Sequence, residues 1–198
     1  LTDFLQTQLL KSSFEIGIID LLVQETQISL QQLCDKLSID REGAGLIIDL
    51  LEQNRILEKN ELEISITTEF LEALKYRDLL EAKIEFANFM VPDLMNNFNA
   101  YIQDIDSFMQ QSDIFDLFSY HRCYESTEEN LEITRKWMKY TTVLTRYETG
   151  VFLKNHNISE YKTAMDIGGN SGEFMSQMCS FHSELRGTVV DLPVVCDI

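Results

Sequence analysis

The stretch TAMDIGGNSGEF, residues 163–174, constrains the fold more than any other part of the sequence. A short apolar run leads into Gly168, Gly169 and Gly172, although the whole chain contains only eight glycines. The run predicts a buried strand, the residues after the glycines predict a helix, and GTVVDLPVV at residues 187–195 predicts a second strand. This order predicts a parallel βαβ unit in which Gly168 makes the sharp turn from strand to helix.

The spacing of this turn, D-x-G-x-N-x-G from Asp166 to Gly172, separates it from phosphate-binding motifs. It is neither the G-x-G-x-x-G of dinucleotide folds nor a P-loop, which ends in Gly-Lys-Ser/Thr. Asn170 stands where a further glycine is common, and asparagine tolerates left-handed backbone. Asp191 lies 23 residues after Gly168, and a carboxylate about 20 residues on binds ribose hydroxyls in parallel βαβ sites. These features predict an adenosine ligand without phosphates; the alternative is a tight turn that binds nothing.

The composition of the chain is acidic, which restricts its partners. Asp and Glu number 33 against 16 Lys and Arg, and the net charge is −17. Because this charge repels nucleic acid and anionic lipid, we predict neither a nucleic-acid nor a membrane partner. The four cysteines form no CxxC pair, so we predict no metal site and a reduced, cytoplasmic protein.

The first part of the chain carries helix signals. Apolar spacing over residues 4–24 predicts one amphipathic helix. Ser29 with Gln32 predicts a capping box at the start of a second helix, and Asp40 is expected to cap a third. Two short helices joined by the tripeptide SID predict a helix-turn-helix.

A hairpin is predicted after these helices. Apolar and polar residues alternate from Glu61 to Thr67, which predicts a strand with one buried face, and Thr67 or Thr68 is expected to cap a further helix. The order is that of a winged helix. Between residues 29 and 75, however, ten acidic residues outnumber five basic ones, which argues against DNA reading. The apolar residues of the first helix predict instead a homodimer formed through this N-terminal region.

The middle of the chain has a helical pattern almost throughout. Breaks are predicted near Pro92 and at residues 110–113. Ser126 and Glu129 predict a second capping box, which begins a long helix ending at about Lys154.

These motifs resemble the small-molecule O-methyltransferases of the plant caffeate and animal acetylserotonin type, which use S-adenosylmethionine. KSSFEIGIIDLL at residues 11–22 is similar to the first dimerisation helix of that family, and residues 29–59 are similar to its winged-helix region. AMDIGGNSGEF at residues 164–174 is similar to the glycine-rich cofactor motif, and RGTVVDLPVV at residues 186–195 to the Asp-Leu-Pro segment that follows it. The resemblance covers nearly the whole chain and implies the N-terminal part of such an enzyme.

The resemblance implies a fold class and a division into domains. The fold is a mostly α, winged-helix-like dimerisation domain followed by the start of an α/β, Rossmann-like methyltransferase domain. The implied domains are a winged-helix-like dimerisation domain at residues 1–75, a helical connecting and acceptor-pocket region at 76–157, and the first βαβ unit of a Rossmann-like S-adenosylmethionine-binding domain at 158–198.

The resemblance also implies a cofactor site for S-adenosylmethionine. Its predicted residues are Asp166, Gly168, Gly169, Asn170 and Asp191. Gly168, with its neighbours Gly169 and Asn170, lines the methionine end of the cofactor, and Asp191 holds the ribose hydroxyls. Asn170 departs from the glycine run of the family.

The family's acceptor pocket involves the helix before the first strand of the βαβ unit, which here implies the stretch from Trp137 to Tyr147. Met138, Tyr140 and Tyr147 are the substrate-contacting candidates here, with simple core packing as the alternative. The general-base histidine of the family and the carboxylate that orients it are expected beyond Ile198. We therefore predict no catalytic residue within this chain.

The sequence thus predicts an S-adenosylmethionine-dependent O-methyltransferase acting on a hydroxyl of a small aromatic or polyketide-like acceptor. The chain is expected to be a fragment that lacks the catalytic half and is inactive alone. The alternatives are a non-catalytic dimerising scaffold of the same fold and a winged-helix transcription regulator, which the acidic charge disfavours.

Overall fold

The computed structural model describes residues 4–198; residues 1–3, where the first predicted domain begins, lie outside the described residues. The chain divides into two compact units, Leu1–Val91 and Pro92–Ile198. The three-domain division stays a prediction.

The N-terminal unit consists of helices and a small antiparallel sheet. Its elements are α1 (Phe4–Glu15), α2 (Ile18–Glu25), β1 (Gln27–Ile28), α3 (Leu30–Leu37), α4 (Arg41–Gln53), β2 (Leu57–Lys59), β3 (Ile64–Ile66), α5 (Thr68–Ala73), a 3₁₀ turn (Leu74–Tyr76) and α6 (Arg77–Asn96), which crosses the unit boundary. The strand order is β1-β3-β2, with Ile64 paired with Ile28 on one side and with Lys59 on the other. β1 was not foreseen from the sequence.

Side-chain caps begin the helices of this unit. Ser29 and Gln32 form the predicted capping box before α3. The carboxylate of Asp40 accepts a hydrogen bond from the main-chain N–H of Gly43 at 2.9 Å, and Thr67 caps α5. These three predictions are confirmed, because a cap depends only on residues close in sequence.

The single helix predicted over residues 4–24 is wrong. The structure has α1 and α2, separated at Gly17, whose φ of 90° is left-handed. Glycine reaches this conformation without the steric cost that a Cβ imposes. The apolar spacing continues across the break, which is why the sequence pattern did not reveal it.

The apolar residues of the N-terminal unit form one closed core. α2, α3, α4 and the three strands each contribute side chains to it. Its buried members are Leu10, Ile18, Ile19, Leu21, Leu22, Ile28, Leu33, Cys34, Ala44, Ile48, Leu51, Leu57, Ile64, Ile66, Phe70 and Ile84.

The C-terminal unit begins with short helices. Its elements are the end of α6, α7 (Phe98–Gln103), α8 (Ile105–Gln111), α9 (Asp113–Leu117), a 3₁₀ turn (Tyr120–Tyr124), α10 (Glu128–Asn155), β4 (Thr163–Ile167), α11 (Glu173–Phe181), β5 (Arg186–Val190) and α12 (Pro193–Asp197). No helix among residues 4–198 is long and apolar enough to cross a membrane.

Of the two helix breaks predicted near the start of this unit, the one near Pro92 is wrong and the one at residues 110–113 is confirmed. α6 continues through Pro92 to Asn96, since the carboxylate of the buried Asp93 accepts hydrogen bonds from Ser112 and from the main chain of Ile114 and so anchors the last turn. The break expected at residues 110–113 is present between α8 and α9.

The start of α10 also differs from the prediction, by one residue. Its N-cap is Thr127, not Ser126, and the Thr127 hydroxyl accepts a hydrogen bond from the main-chain N–H of Asn130 at 3.2 Å. Ser126 instead donates to Asp197. Because both neighbours are cap-forming residues, the sequence alone did not decide between them.

The predicted βαβ unit is confirmed, but the strand predicted over residues 187–195 is too long: β5 ends at Val190, and α12 begins at Pro193. β4 and β5 are parallel, with Thr163 opposite Arg186 and Ile167 opposite Val190. The register continues into the glycine turn, where the N–H of Gly168 donates to the carbonyl of Val190 at 2.8 Å. The turn therefore leaves the sheet at its carboxyl edge, the usual place of ligand sites in such folds.

Candidate functional site

The glycine turn between β4 and α11 has alternating left-handed backbone. The φ angles are 76° at Gly168, 53° at Asn170 and 76° at Gly172. A Cβ at Gly168 would meet nothing within 4 Å, whereas one at Gly169 would lie 2.8 Å from carbons of Asp166 and Val189. Gly168 is thus required by its backbone conformation, and Gly169 by crowding.

The carboxylate of Asp191 is fixed by the main chain at the end of β5. One oxygen accepts from the N–H of Asn170 at 2.7 Å, and the other accepts from the N–H of Leu192 at 2.7 Å. An ionised carboxylate has about four acceptor positions. Acceptor positions therefore remain on both oxygens, which suits a ligand with two neighbouring hydroxyls.

A cavity of about 670 Å³ opens at this turn. The glycine turn, the end of β5 and one face of α10 supply most of its wall. Its lining residues are Tyr120, Trp137, Thr141, Thr145, Glu148, Thr149, Phe152, Asp166, Gly168, Gly169, Asn170, Phe174, Asp191 and Leu192. The volume falls within the range of small-molecule sites.

One stripe of α10 lines the cavity. Trp137, Thr141, Thr145, Thr149 and Phe152 follow one another at steps of four or three residues, which places them on the same face of the helix, and Glu148 lies beside Thr149. The hydroxyl of Thr141 donates to the carbonyl of Trp137 at 3.0 Å, and the hydroxyl of Thr149 donates to the carbonyl of Thr145 at 2.6 Å. Because each hydroxyl donates its proton to a carbonyl of the same helix, a ligand in the cavity could use these threonine oxygens only as hydrogen-bond acceptors.

Hydrogen bonds join the glycine turn to α10. The carboxamide nitrogen of Asn170 donates to the hydroxyl of Thr141, and the hydroxyls of Thr142 and Ser171 lie 2.8 Å apart. Two adjacent polar residues of the turn thus hold two adjacent threonines of the helix, which fixes the cavity wall on both sides.

The charge in the cavity is negative. Glu148, Asp166 and Asp191 line it, and among its described lining residues none is a lysine, arginine or histidine. A phosphate would meet only repulsion from these carboxylates, whereas a neutral or cationic ligand would not. This charge supports the prediction of a phosphate-free ligand.

Two polar atoms at the cavity wall have no hydrogen-bond partner among residues 4–198. They are the indole Nε1 of Trp137 and the carboxamide Oδ1 of Asn170. Both are buried, so each is costly to leave unpaired.

The structure brings the five predicted cofactor residues together. Asp166, Gly168, Gly169, Asn170 and Asp191 all line this cavity. Their roles toward a cofactor stay predictions.

The three predicted acceptor residues are placed differently. Met138 is buried and lines a second cavity of about 400 Å³, which also contacts Asn170 and Asp191. Tyr140 and Tyr147 lie on α10 outside the walls of both cavities. Their contact with an acceptor stays a prediction.

The sequence predicts a pocket along residues 137–147 of this helix, but it did not identify the side chains of the α10 stripe that line the cavity. The signal was present, because Trp137, Thr141, Thr145 and Phe152 follow helical spacing inside a predicted helix. Threonine carries no strong functional expectation on its own, and the pattern has meaning only once the glycine turn is known to face it. Within the described part of the chain, no cluster of three or more His, Cys, Asp or Glu residues could hold a metal ion.

No protein-family model matches the chain. A segment of 40 residues is 45% identical to 3-hydroxy-5-methyl-1-naphthoate 3-O-methyltransferase of Streptomyces sahachiroi; it covers 20% of this chain and 12% of that enzyme.

Solved methyltransferase structures are similar to nearly the whole chain. SibL, an S-adenosylmethionine-dependent methyltransferase in its apo form, has a TM-score of 0.70 at 13% identity, covering 98% of this chain and 57% of its own. CalO1, a methyltransferase in calicheamicin biosynthesis in its SAH-bound form, has a TM-score of 0.67 at 14% identity, covering 93% and 54%. Human N-acetylserotonin methyltransferase in complex with SAM has a TM-score of 0.60 at 14% identity, covering 97% and 57%. The chain therefore has the fold of these methyltransferases over little more than half of their length, and the predicted resemblance is confirmed for the fold.

Proposed function

We propose that the protein is an S-adenosylmethionine-dependent O-methyltransferase that acts on a hydroxyl of a small aromatic or polyketide-like acceptor. The observation that carries this proposal is the Asp191 carboxylate, which two main-chain N–H groups hold beside a left-handed glycine turn. The methyltransferase fold and the short match to a naphthoate O-methyltransferase support it.

The residues of the cavity fit this cofactor. Asp191 would accept hydrogen bonds from the two ribose hydroxyls, and Gly168 would leave room for the ligand because no side chain occupies the space beside its Cα. The negative, cation-free lining suits a molecule that carries a sulfonium charge and no phosphate.

S-adenosylmethionine supplies a methyl group on a sulfonium, and the protein's part is to bind and orient. The α10 stripe and the aromatic rings of Phe152 and Phe174 would wall the cavity and exclude water; the two rings contact each other edge to face at 5.1 Å. Such positioning accounts for much of the rate of group transfer. Because none of the histidines His121, His156 and His182 lines the cavity, we assign no general base to this chain.

The proposal extends to the N-terminal unit, as a winged-helix-like dimerisation domain. The succession of α3, α4 and the β2–β3 hairpin supports the winged-helix assignment. The exposed apolar side chains of Leu5 on α1, of Ile16 between the two helices and of Val23 on α2 support a homodimer interface there. All four cysteines are free thiols, which supports a reducing, cytoplasmic location.

Calorimetric titration with S-adenosylmethionine and S-adenosylhomocysteine tests the function. Asp191→Ala should weaken the binding of both by about 1.5–3 kcal/mol, roughly ten- to a hundredfold, because two charge-assisted hydrogen bonds to ribose are lost. Glu160→Ala removes an equal charge at an exposed position outside the cavity and should leave the affinity unchanged.

Two results would count against this function. If the unmodified protein binds neither molecule, the cofactor assignment fails. If the full-length protein binds both and transfers no methyl group to any hydroxylated aromatic acceptor, the non-catalytic scaffold takes its place; no transfer is expected from the 198-residue chain alone, because we propose that it lacks the catalytic half.

A further inference from the structure

The face of α4 that points away from the N-terminal core carries a row of apolar residues. Gly43, Leu46 and Leu50 follow one another at steps of three and four residues, so they lie in one line along the helix. All three are exposed, Leu46 by 63% and Leu50 by 37%. Ile48 and Leu51, on the opposite face, are buried in the core. Among residues 4–198, therefore, only one of the two apolar faces of α4 is covered.

Among the described residues, nothing requires glycine at position 43. Its φ lies outside the left-handed region, and a Cβ there would lie 3.8 Å from the carboxylate of Asp40, which is an ordinary contact distance. Glycine also weakens a helix relative to alanine. What glycine provides is bare backbone next to Leu46, which allows the main chain of another molecule to approach closely.

A further exposed leucine lies on the hairpin between β2 and β3. Leu62 is 80% exposed, and the side-chain oxygen of Asn60 fixes its turn by accepting from the main-chain N–H groups of Leu62 at 3.1 Å and Glu63 at 2.8 Å. The ammonium group of Lys59 binds the carboxylate of Asp49 at 2.5 Å and so ties the hairpin to α4. We call the four exposed residues the outer leucine face: Gly43, Leu46, Leu50 and Leu62.

The carboxylates beside the outer leucine face are unpaired. Glu42 flanks the row on α4, and Glu61 and Glu63 stand before and after Leu62 in the sequence. The carboxylates of these three glutamates have no hydrogen-bond or ion-pair partner among residues 4–198. A partner that carries cations next to apolar side chains would therefore complement both the leucines and the charge.

The cations of this region are engaged or lie beyond the row. Lys59 is already bound by two carboxylates of α4. Arg41 begins α4 and donates to the side chain of Gln31 on α3 at 3.2 Å, and Arg55 lies past the end of α4. The outer leucine face thus keeps an excess of negative charge.

Nucleic acid, anionic lipid and a second copy of this chain all have the wrong charge for this face. Phosphate groups would be repelled by its carboxylates. A second copy has a net charge of −17, and in a symmetric pair each face would meet the same unpaired glutamates. A helical row of exposed leucines beside charged residues is instead typical of surfaces that dock an amphipathic helix.

We propose that the outer leucine face docks a basic amphipathic helix of another protein. The apolar side chains of that helix cover the leucines, its Lys and Arg side chains pair with the three unpaired glutamates, and its main chain approaches α4 most closely at Gly43. This surface is separate from the homodimer interface proposed on α1 and α2, and the inference does not depend on methyl transfer.

A synthetic peptide of leucine and lysine in helical order, labelled with fluorescein, is the probe for this docking. A peptide of the same residues in scrambled order measures plain charge attraction. The ordered peptide should bind about tenfold more tightly than the scrambled one, because it buries leucine side chains as well as pairing charges. In a ¹⁵N-labelled sample, the ordered peptide should shift the main-chain resonances of the outer leucine face most.

Variants at exposed positions locate the contact without unfolding the chain. Leu46→Ser combined with Leu50→Ser should raise the Kd of the ordered peptide by about tenfold and leave that of the scrambled peptide unchanged. Gly43→Leu favours the helix but fills the bare backbone, so it should raise the Kd without lowering the melting temperature. Leu71→Ser, at a 45% exposed position on α5, is the matched control and should change neither affinity.

Three results would overturn the proposal. The first is equal binding of the ordered and scrambled peptides, or resonance shifts spread over the acidic surface, since attraction would then be by charge alone. The second is an equal loss of affinity for Leu71→Ser and for the paired serine variant. The third comes from sedimentation: if the chain dimerises and the paired serine variant dissociates the dimer, a second copy covers this face.

Discussion

The two units of the molecule differ in what they bury. In the N-terminal unit, Ile18, Leu33 and Leu51 belong to one closed apolar core. In the C-terminal unit, β4 and β5 leave apolar side chains at the surface, with Met165 63% and Ile167 80% exposed. Parallel strands are usually covered on both faces, and these two side chains stay uncovered in a chain that spans little more than half the length of the similar methyltransferase structures.

The difference separates stability from binding. The N-terminal unit buries most of its apolar residues in its own core, although Leu5 and Val23 stay exposed. The C-terminal unit places carboxylates, threonines and an unpaired indole around a cavity, and these groups add little to the stability of the folded chain. Substitutions in the core of the first unit should therefore change mainly the free energy of unfolding, and substitutions of the polar side chains that line the cavity should change mainly ligand affinity.

The largest expected effect is that of Leu51→Ala in the N-terminal core. Leu51 is 0% exposed, and truncating a buried leucine to alanine costs about 2–5 kcal/mol in free energy of unfolding. Urea unfolding, followed by hydrogen exchange resolved along the chain, should locate this loss in residues 4–91. The affinity for S-adenosylhomocysteine should not change.

Leu62→Ala is the matched control for this change. Leu62 is 80% exposed, so the same truncation should alter the free energy of unfolding by less than about 0.5 kcal/mol. If Leu51→Ala reduced the free energy of ligand binding as much as the free energy of unfolding, the assignment of stability to one unit and of binding to the other would be wrong.

The N-terminal fold could be predicted well where its causes are local. The caps at Ser29, Asp40 and Thr67 depend on residues three positions apart, and all three are present. The break at Gly17 was not predicted, because the apolar spacing runs across it, although glycine is a weak helix former. β1 was missed because a strand of two residues is too short to show an alternating pattern, and it is defined only by its pairing with the distant β3.

The second prediction compares two neighbouring glycines of the site. Gly169→Ala should destabilise the C-terminal unit by about 1–3 kcal/mol, because the new methyl group would lie 2.8 Å from atoms of Asp166 and Val189 and must push them away. Since Asp166 lines the cavity, ligand affinity should fall as well. Thermal unfolding and calorimetric titration with S-adenosylhomocysteine measure the two effects.

Gly168→Ala sharpens this result. Its methyl group would meet nothing within 4 Å, so only the left-handed backbone opposes it, at about 1–2 kcal/mol. The methyl group would enter the open space beside the cavity. Gly168→Ala should therefore reduce the free energy of ligand binding more than it reduces the free energy of unfolding. A smaller loss of stability for Gly169→Ala than for Gly168→Ala would mean that crowding does not decide position 169.

The site could be predicted from the sequence only in part. The glycine turn and Asp191 were foreseen because strand, turn and strand place them at one sheet edge whatever the rest of the chain does. The roles of Thr141 and Trp137 could not be, since they depend on where α10 packs. The sequence marks Asn170 as unusual, but only its bond to Thr141 shows what its side chain does.

The smallest expected effect is the pH dependence of the C-terminal unit, which arises from Asp93. This carboxylate is 7% exposed. Burial raises its pKa, but hydrogen bonds from Ser112, from the main chain of Ile114 and Asp113, and from Asn97 outweigh burial and lower the pKa below its ordinary value of 3.8.

A carboxylate with a depressed folded-state pKa contributes stability that is fully present above its unfolded pKa and is lost as the pH falls through the folded value. The contribution of Asp93 to the stability of the C-terminal unit should therefore be lost only below about pH 4, and Asp93→Asn should remove that part of the pH dependence. Asp20 in the N-terminal unit gives the contrast: the Arg77 hydrogen bond lowers its pKa too, but the pair is solvent-exposed, so added salt should weaken its contribution. Acid unfolding at low and high salt, with hydrogen exchange resolved by unit, measures both. If salt changed the Asp93 contribution as much as that of Asp20, burial would not distinguish the two carboxylates, and the contrast between the units would not extend to their charges.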